Sequence, residues 1–389
     1  MAVTIPKAEY FERVSKLQAG MKEAGFDAVL VHGMESDCGS VRYFSDFWPT
    51  FEAAAVLVPV TGEAMLLVGP ESGLYAAGRS MLPKIEMMLE YRESADPEYP
   101  GLKVASFQDV FKKAMGSNPL RKLGLISYSI TPIHIWKSLR SNFPDAEIVP
   151  ADFLIRELRT YKSDAEIACM RKAYEIAELA VDAILAEIKP GMTELQVIGI
   201  AQRELYKHGA EYEGHSLYAF CGVNTCNAIS RPTHNLIVPN EVIQLNIGAR
   251  VCGYTSSVGL PISIGPLPAD KRRLVEFGLK AHFKTFELLK GGKKSGDVVR
   301  EYMDWVKSQG FDKYMLYGPC HSIGMMEVEY PWLESTSTYT LKKNMTYQVD
   351  TFFYDGNRFG LRWENGARIT DDGVEMMSSK HAKYTELPL

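Results

Sequence analysis

The chain has 389 residues, of which 46% are hydrophobic and 23% are charged, and its formal net charge at pH 7 is -5. This length exceeds one ordinary hydrophobic core, so two domains are expected. Acidic and basic residues are interspersed without a basic stripe, which argues against nucleic acid as a partner.

The chain carries no sign of a membrane or secretory segment. No apolar run approaches the roughly 20 residues that span a bilayer, and the N-terminal segment MAVTIPKAEYFERVSKLQ has no apolar signal core. The six cysteines are scattered and form no Cys-x-x-Cys pair. Such usage is typical of reduced thiols. The sequence therefore predicts a cytoplasmic protein with no membrane partner.

The first part of the chain alternates between strand-like and helical patterns. Helical spacing covers residues 7–25, 105–116 and 132–142. Short runs rich in Val, Leu and Ala indicate strands at FDAVLVHG, AAAVLVPV, AMLLVG, KLGLISYS and AEIVPA. This alternation predicts an α/β layer domain, which we place at residues 1–155.

The second part, residues 156–389, has a different character. A long amphipathic helix starts with the capping-box pair Ser163 and Glu166, and a second helix runs from Thr193 to Gly209. A similar pair follows in LVEFGLKAHFKTFELLK and DVVREYMDWVKSQG, which indicates a weak internal duplication. Strand-like segments complete this part: VIQLNIGARV, MTYQVDTFFY and FGLRWENGARIT. We predict an α+β domain of two helix pairs backed by a curved antiparallel sheet.

Several short segments, taken in order, resemble the family that contains methionine aminopeptidase, aminopeptidase P, prolidase and creatinase. The segments are LRTYKSDAEIACMRKAYEIAE, IKPGMTE, CGVNT with RPT, VIQLNIGARVCGYTS, GPCHSIGM, MTYQVD and GLRWENG. The resemblance covers nearly the whole chain. It implies a ribonuclease H-like N-terminal domain of the creatinase/prolidase type, a C-terminal pita-bread catalytic domain and a homodimer.

The family's peptidases hold two divalent metals with Asp, Asp, His, Glu and Glu. At the matching positions this chain has Asn246, Ser257, His321, Asp350 and Glu364. Two carboxylates cannot neutralise two divalent cations in a dry pocket, so the sequence predicts no metal cofactor. The alternative is one Zn, Mn or Fe ion on the histidine and the two carboxylates.

Two further family histidines are absent, since Ile229 and Val328 stand at their positions. Creatinase is the nearest precedent, because it resembles this chain in having Asn at the first metal position and a non-ligand at the second. It cleaves a C–N bond without metal. This chain also departs from creatinase, since Gly259 stands where creatinase has an essential glutamate, so creatine itself is not the expected substrate.

Four residues are the candidate catalytic groups. His321 suits proton transfer near neutral pH, with a structural histidine as the alternative. Asp350 and Glu364 are expected to face it and to raise one another's pKa; the alternative is a salt bridge to Arg362. Glu329 completes the set, although its neighbour Glu327 could be the glutamate that faces the pocket.

Six residues are the candidate substrate-binding groups: Asn246, Ser257, Arg362, His215, His234 and Trp48. The two histidines could replace the one absent at position 229, and exposed surface histidines are the simpler interpretation. Trp48, with its aromatic neighbours, could close the pocket of a partner in a dimer, or could simply pack in a core. A nucleophilic cysteine beside His321 is conceivable, and small buried thiols are the simpler interpretation.

The sequence thus favours a creatinase-like, metal-independent hydrolase that cleaves a C–N bond in a small polar metabolite. The first alternative is a mononuclear metal-dependent Xaa-Pro dipeptidase or aminopeptidase. The second is a non-catalytic pita-bread protein that binds a ligand.

Overall fold

The computed structural model describes residues 3–356 and 358–389. The chain forms two compact units, Ile5–Arg159 and Thr160–Leu389, and the described residues before Ile5 belong to the second unit. The domain boundary placed at residue 155 lies inside the helix Phe153–Thr160. Among the described residues, no helix is long and apolar enough to cross a membrane.

The first unit is built on a six-stranded mixed sheet. Its strands are β1 (Ala28–Gly33), β2 (Ala54–Pro59), β3 (Met65–Val68), β4 (Lys84–Met87), β5 (Lys122–Ile126) and β6 (Glu147–Pro150). Their spatial order is β4-β3-β2-β1-β5-β6. The central strands β1 and β2 are buried at every position, which explains their nearly continuous apolar sequences.

Helices accompany this sheet in the alternating order predicted from the sequence. They are α1 (Lys7–Ala24), α2 (Gly39–Ser45), α3 (Gly73–Arg79), α4 (Phe107–Met115), α5 (Ile133–Asn142) and α6 (Phe153–Thr160). Helix α1 ends at Gly25, whose φ of 71° places it in the left-handed region that favours glycine. The predicted helices at 7–25, 105–116 and 132–142 are confirmed.

The second unit contains the two predicted helix pairs. These are α7 (Asp164–Glu187) with α8 (Glu194–Lys207), and α9 (Ala269–Leu288) with α10 (Ser295–Ser308). The predicted capping box is confirmed at Ser163, whose side chain accepts from the Glu166 N–H while the Glu166 side chain accepts from the Ser163 N–H. Thr193 caps α8 in the same way.

Two sheets complete the second unit. Their strands are β7 (Tyr212–Glu213), β8 (Tyr218–Cys221), β9 (Ile243–Ile247), β10 (Ala249–Val251), β11 (Tyr254–Thr255), β12 (Val258–Ile264), β13 (Cys320–Ser322), β14 (Glu329–Trp332), β15 (Thr346–Asp355), β16 (Phe359–Ile369), β17 (Val374–Met376) and β18 (Thr385–Leu387). The larger sheet has the order β14-β13-β15-β16-β12-β9-β8, with β17 on β16 and β18 on β12. It is antiparallel as predicted, except that β12 and β18 run parallel.

The register of the larger sheet brings distant parts of the chain together. Asp350 on β15 lies opposite Glu364 on β16. Gly259 on β12 lies between Glu364 and Asn246 on β9, and His321 on β13 lies opposite Gln348, two residues before Asp350 on β15. The strand pairing therefore places the sequence-derived candidates next to one another.

Candidate functional site

An ion-paired group on β15 and β16 forms the centre of the site. The Arg362 Nε atom lies 3.2 Å from the Asp350 Oδ1 atom and 3.6 Å from the Glu364 Oε1 atom. All three side chains are buried. Of the two roles considered for Arg362, substrate binding and pairing with protein carboxylates, this geometry corresponds to the second.

Asp350 has an unusual protonation equilibrium for an aspartate. Burial raises the pKa of Asp350 to about 6, although the charge of Arg362 favours the ionised carboxylate. A carboxyl group with a pKa close to the working pH can both take up and release a proton. Asp350 is therefore suited to act as an acid or a base.

Tyr317 joins this group. Its hydroxyl donates to the Asp350 Oδ2 atom at 2.7 Å and accepts from the Arg362 Nη2 atom at 2.7 Å. Burial raises the pKa of Tyr317 well above 10, so the phenol stays protonated and remains a donor. Sequence reasoning missed this residue, because nothing in its local pattern separates it from the other tyrosines among the 20 in the chain.

Glu364 is held by neutral donors from two other strands. The Asn246 Nδ2 atom donates to the Glu364 Oε2 atom at 2.8 Å, and the Ser257 hydroxyl donates to the same oxygen. The Gln244 Nε2 atom donates to the Asn246 Oδ1 atom at 2.9 Å, which fixes the amide so that its nitrogen faces Glu364. The residues at the family's first two metal positions thus serve as hydrogen-bond donors to a carboxylate.

His321 is buried beside Glu327. Its Nδ1 atom donates to the Ser322 carbonyl at 3.0 Å, and its Nε2 atom lies 3.5 Å from the Glu327 Oε1 atom. Burial lowers the pKa of His321, but Glu327, Asp350 and the Ser322 carbonyl together outweigh it and raise the pKa above its usual value. The protonated ring is therefore favoured more than in a free histidine, and its Nε2 atom faces the Glu327 carboxylate.

Glu329 has a different environment. Its Oε1 atom lies 2.7 Å from the Lys162 Nζ atom, and the two side chains are 6% and 1% exposed. The Lys162 main chain is in turn fixed by hydrogen bonds with Asn344. This carboxylate is thus neutralised by a buried lysine, and Glu327 is the glutamate that faces His321.

His215 and His234, two further substrate-binding candidates, lie outside the ion-paired group of Arg362, Asp350 and Glu364. His215 donates from Nδ1 to the Ser216 carbonyl at 2.7 Å, and its ring lies 5.8 Å from the ring of Tyr218, which in turn lies 5.9 Å from the Arg362 guanidinium. His234 is exposed in the loop before β9.

Trp48 belongs to the first unit. Its indole nitrogen donates to the Glu35 carbonyl at 3.1 Å, and the Arg42 guanidinium lies 5.3 Å from its ring. Its proposed part in closing a pocket stays a prediction.

The nearby cysteines do not have the properties of nucleophiles. Burial raises the pKa of Cys221 to about 11 and raises that of Cys320 as well. Reactive cysteines require a lowered pKa so that the thiolate forms at neutral pH. Packing is therefore the role that this environment favours.

Two family models together match most of this chain. The model of metallopeptidase family M24 matches residues 168–372, and the model of the creatinase/prolidase N-terminal domain matches residues 13–161. An Xaa-Pro dipeptidase of Pyrococcus furiosus is 23% identical over 94% of this chain and 97% of its own length.

Solved structures show the same fold at low sequence identity. The prolidase from Pyrococcus horikoshii OT3 has a TM-score of 0.81 and 22% identity, with 95% of this chain and 98% of that chain covered. The X-Pro aminopeptidase from Thermotoga maritima MSB8 has a TM-score of 0.83 and 20% identity, with 97% and 99% covered. These likenesses confirm the predicted two-domain fold with a pita-bread second domain.

The expectation of no cofactor is wrong at the level of the family, because the matching family is one of metallopeptidases and points to metal use. The side chains at the five family positions do not, however, fit a pair of metal ions. Among residues 3–356 and 358–389, no group of three or more His, Cys, Asp or Glu side chains could hold a metal ion. Arg362 already lies between Asp350 and Glu364, so its positive charge occupies the space between the two carboxylates.

Proposed function

Because the chain belongs to metallopeptidase family M24, a family of hydrolases that act on C–N bonds, we propose that it hydrolyses a C–N bond in a small, polar, positively charged substrate. The observation that carries this proposal is the His321–Glu327 pair beside Asp350 and Arg362. In this group His321 is the proton donor and Asp350 is the proton acceptor, and the carboxylates leave an excess of negative charge.

The charges of the site support a cationic substrate. Asp350, Glu364 and Glu327 are carboxylates, whereas Arg362 and the protonated ring of His321 are the cations that face them. Even with the histidine charged, one carboxylate is left without a balancing cation. A positive group on the substrate would neutralise it, and buried charge without a partner is costly.

The same groups supply the proton transfers of hydrolysis. Asp350 takes a proton from water as the water oxygen bonds to the carbon of the scissile C–N bond. His321 gives its Nε2 proton to the nitrogen as the C–N bond breaks, so the amine leaves neutral. Asp350 then loses its proton to solvent and His321 regains one, which restores the site. Each such transfer contributes a rate factor of about 10²–10⁴.

Peptides that contain proline are the second candidate substrates. The Pyrococcus furiosus relative and the Bacillus anthracis structure, at a TM-score of 0.81, are both named Xaa-Pro dipeptidase. A dipeptide also carries an ammonium group, which fits the negative site. At identities of 23% and 22%, these names support the reaction class more than the substrate.

Amine release tests both candidates. Purified protein is incubated with guanidino compounds, cyclic amides and Xaa-Pro dipeptides, each with a chelator and with added Mn²⁺, Zn²⁺ or Co²⁺. The proposal expects turnover of at least one class, and the His321→Gln variant should lose about 10²-fold or more of it. The matched variant is His208→Gln at the end of α8, which should keep full activity. Absence of turnover under every condition would overturn the proposal.

We also propose that the chain works as a homodimer in the cytoplasm. Phe51 and Leu74 on the first unit are 86% and 89% exposed, and burial of such apolar side chains against a second chain would be favourable. All six cysteines are free thiols, which fits a reducing compartment. Light scattering should give about twice the chain mass of 43.6 kDa, and the mass of one chain would contradict the dimer.

A further inference from the structure

Tyr317 connects the two charged groups at the centre of the site. We propose that it is the positioning residue of the reaction, which orients the Asp350 carboxylate so that one of its oxygens is left for water or substrate. This inference rests on the proposed function for its chemical meaning. Its structural part can be tested without any substrate.

The direction of the hydrogen bonds around Tyr317 is fixed by chemistry. A guanidinium only donates, so the Arg362 Nη2 atom must donate to the Tyr317 oxygen. The hydroxyl has a single proton, and it donates that proton to the Asp350 Oδ2 atom. The two hydrogen bonds that connect Arg362, Tyr317 and Asp350 can therefore run in only one direction, from the arginine to the carboxylate.

The two oxygens of Asp350 have different partners. Oδ2 accepts from Tyr317 at 2.7 Å. Oδ1 is buried, and among the described residues it has no hydrogen-bond partner, although the Arg362 Nε atom lies 3.2 Å away. An unsatisfied buried acceptor is costly, and such atoms are often found where a ligand or water binds. Oδ1 is therefore the oxygen left for a hydrogen bond from water or substrate.

The position of the Tyr317 ring does not depend on its hydroxyl. The ring stacks on Phe352, with centroids 5.9 Å apart and planes inclined by 16°. Two residues later, the Pro319 carbonyl accepts from the Asp350 N–H at 3.0 Å, which ties this segment to β15. Replacement by phenylalanine should therefore remove the hydroxyl and leave the ring in place.

Arg362 has further contacts that limit its own movement. Its Nη2 atom also donates to the Ala228 carbonyl at 2.8 Å, and its guanidinium lies 5.1 Å from the ring of Phe352 and 5.9 Å from that of Tyr218. Because these contacts hold the arginine in place, its hydrogen bond also holds the Tyr317 hydroxyl in place. The hydroxyl in turn fixes the orientation of the Asp350 carboxylate. Asp350 has no other side-chain hydrogen bond among the contacts described for it.

The test compares Tyr317→Phe with Tyr347→Phe. Tyr347 is also buried and lies on β15, and its hydroxyl donates to the Met345 sulfur at 3.7 Å rather than to the site. On a substrate found in the amine-release panel, Tyr317→Phe should lower kcat by about 10- to 100-fold and change KM by less than about 3-fold. Both variants should have similar Tm values.

Two kinetic results would overturn the proposal. The first is a kcat for Tyr317→Phe within about 2-fold of the wild type. The second is an equal loss of kcat in both variants that follows their Tm values, since this would indicate a general effect of removing a buried hydroxyl.

A crystal structure of Tyr317→Phe separates this proposal from the proposed function. If the wild type turns over no substrate, the proposed function fails, and the structure alone decides the role of Tyr317. Rotation of the Asp350 carboxylate or a shift of the Arg362 Nη2 atom by about 1 Å would support it, since a displacement of that size matters in catalysis. An unchanged arrangement of both groups would overturn it.

Discussion

At the scale of single residues, the site depends on a position that has no side chain. A Cβ atom on Gly259 would lie 2.6 Å from the Asn246 Nδ2 atom and 2.7 Å from the Glu364 Cβ atom. The hydrogen bond from Asn246 to Glu364 passes beside this glycine. The glycine where creatinase has a glutamate therefore allows the two neighbouring strands to bring these side chains together.

Gly259→Ala should consequently destabilise the protein by about 1–3 kcal/mol, because a core without space must shift to accept a methyl group. It should also lower activity, since Glu364 is displaced. The matched variant is Gly199→Ala in α8, where a Cβ would meet nothing within 4 Å, and it should stabilise the helix by up to about 1 kcal/mol. Urea unfolding of both variants measures the difference, and equal midpoints would contradict this account.

At the scale of elements, a buried carboxylate organises the loop that follows β8. Glu194 accepts hydrogen bonds from the Cys221 and Thr233 N–H groups, from the Thr233 hydroxyl and from the side-chain amides of Asn224 and Asn235. The loop includes Ala228, whose carbonyl accepts from Arg362 in the site. The first residue of α8 thus supports the far side of the ion-paired group.

Glu194→Ala should destabilise the second unit by about 2–4 kcal/mol, because several buried donors lose their acceptor at once. It should also speed proteolytic cleavage between residues 222 and 235. The matched variant is Glu187→Ala, which removes a partly exposed carboxylate paired with Arg203 and should cost less than about 1 kcal/mol. Cleavage at the same rate in both variants would show that the loop is held by other contacts.

Strand β1 of the first unit carries a buried histidine that should make stability depend on pH. Burial lowers the pKa of His32 to about 4, with a smaller effect from His134, and neither ring nitrogen has a hydrogen-bond partner among the described residues. The unfolded chain binds a proton near pH 6.5 and the folded chain does not, so this stability is present above pH 6.5 and is lost as pH falls towards 4.

His32→Leu should therefore raise Tm more at pH 5 than at pH 7.5, since leucine has no proton to gain on unfolding. The expected gain in unfolding free energy at pH 5 is about 1–2 kcal/mol larger than at pH 7.5. Thermal unfolding of both proteins at the two pH values is the measurement. A Tm difference that is the same at both values would mean that the histidine is not neutral in the folded protein.

At the scale of the whole molecule, the sequence predicts the fold better than it predicts the site. The capping box at Ser163, the paired helices and the apolar strands depend on residues that are close in sequence. Such local preferences agree with the final fold, so the sequence alone predicts them. The contacts of Tyr317 and Glu327 depend instead on strand register between segments far apart in the chain. Nothing in the sequence indicates which of Glu327 and Glu329 faces His321, because the answer depends on Lys162.

The expectation of no metal cofactor is wrong for a related reason. It depends only on the ligand residues that the chain lacks, whereas the match to metallopeptidase family M24 points to metal use. The structure adds that Asn246 and Ser257, at the two aspartate positions, donate to Glu364, and that Arg362 lies between Asp350 and Glu364. That arrangement could not be predicted from the missing aspartates.

The role of the His321–Glu327 pair in hydrolysis can be tested by the rate of amine release by the wild type and by Glu327→Gln across the substrate panel. Glu327 pairs with His321 and is partly exposed, so its replacement should leave Tm nearly unchanged. We expect turnover by the wild type and a kcat about 10²-fold lower in the variant. No turnover by the wild type with or without metals, or equal rates in both proteins, would contradict it.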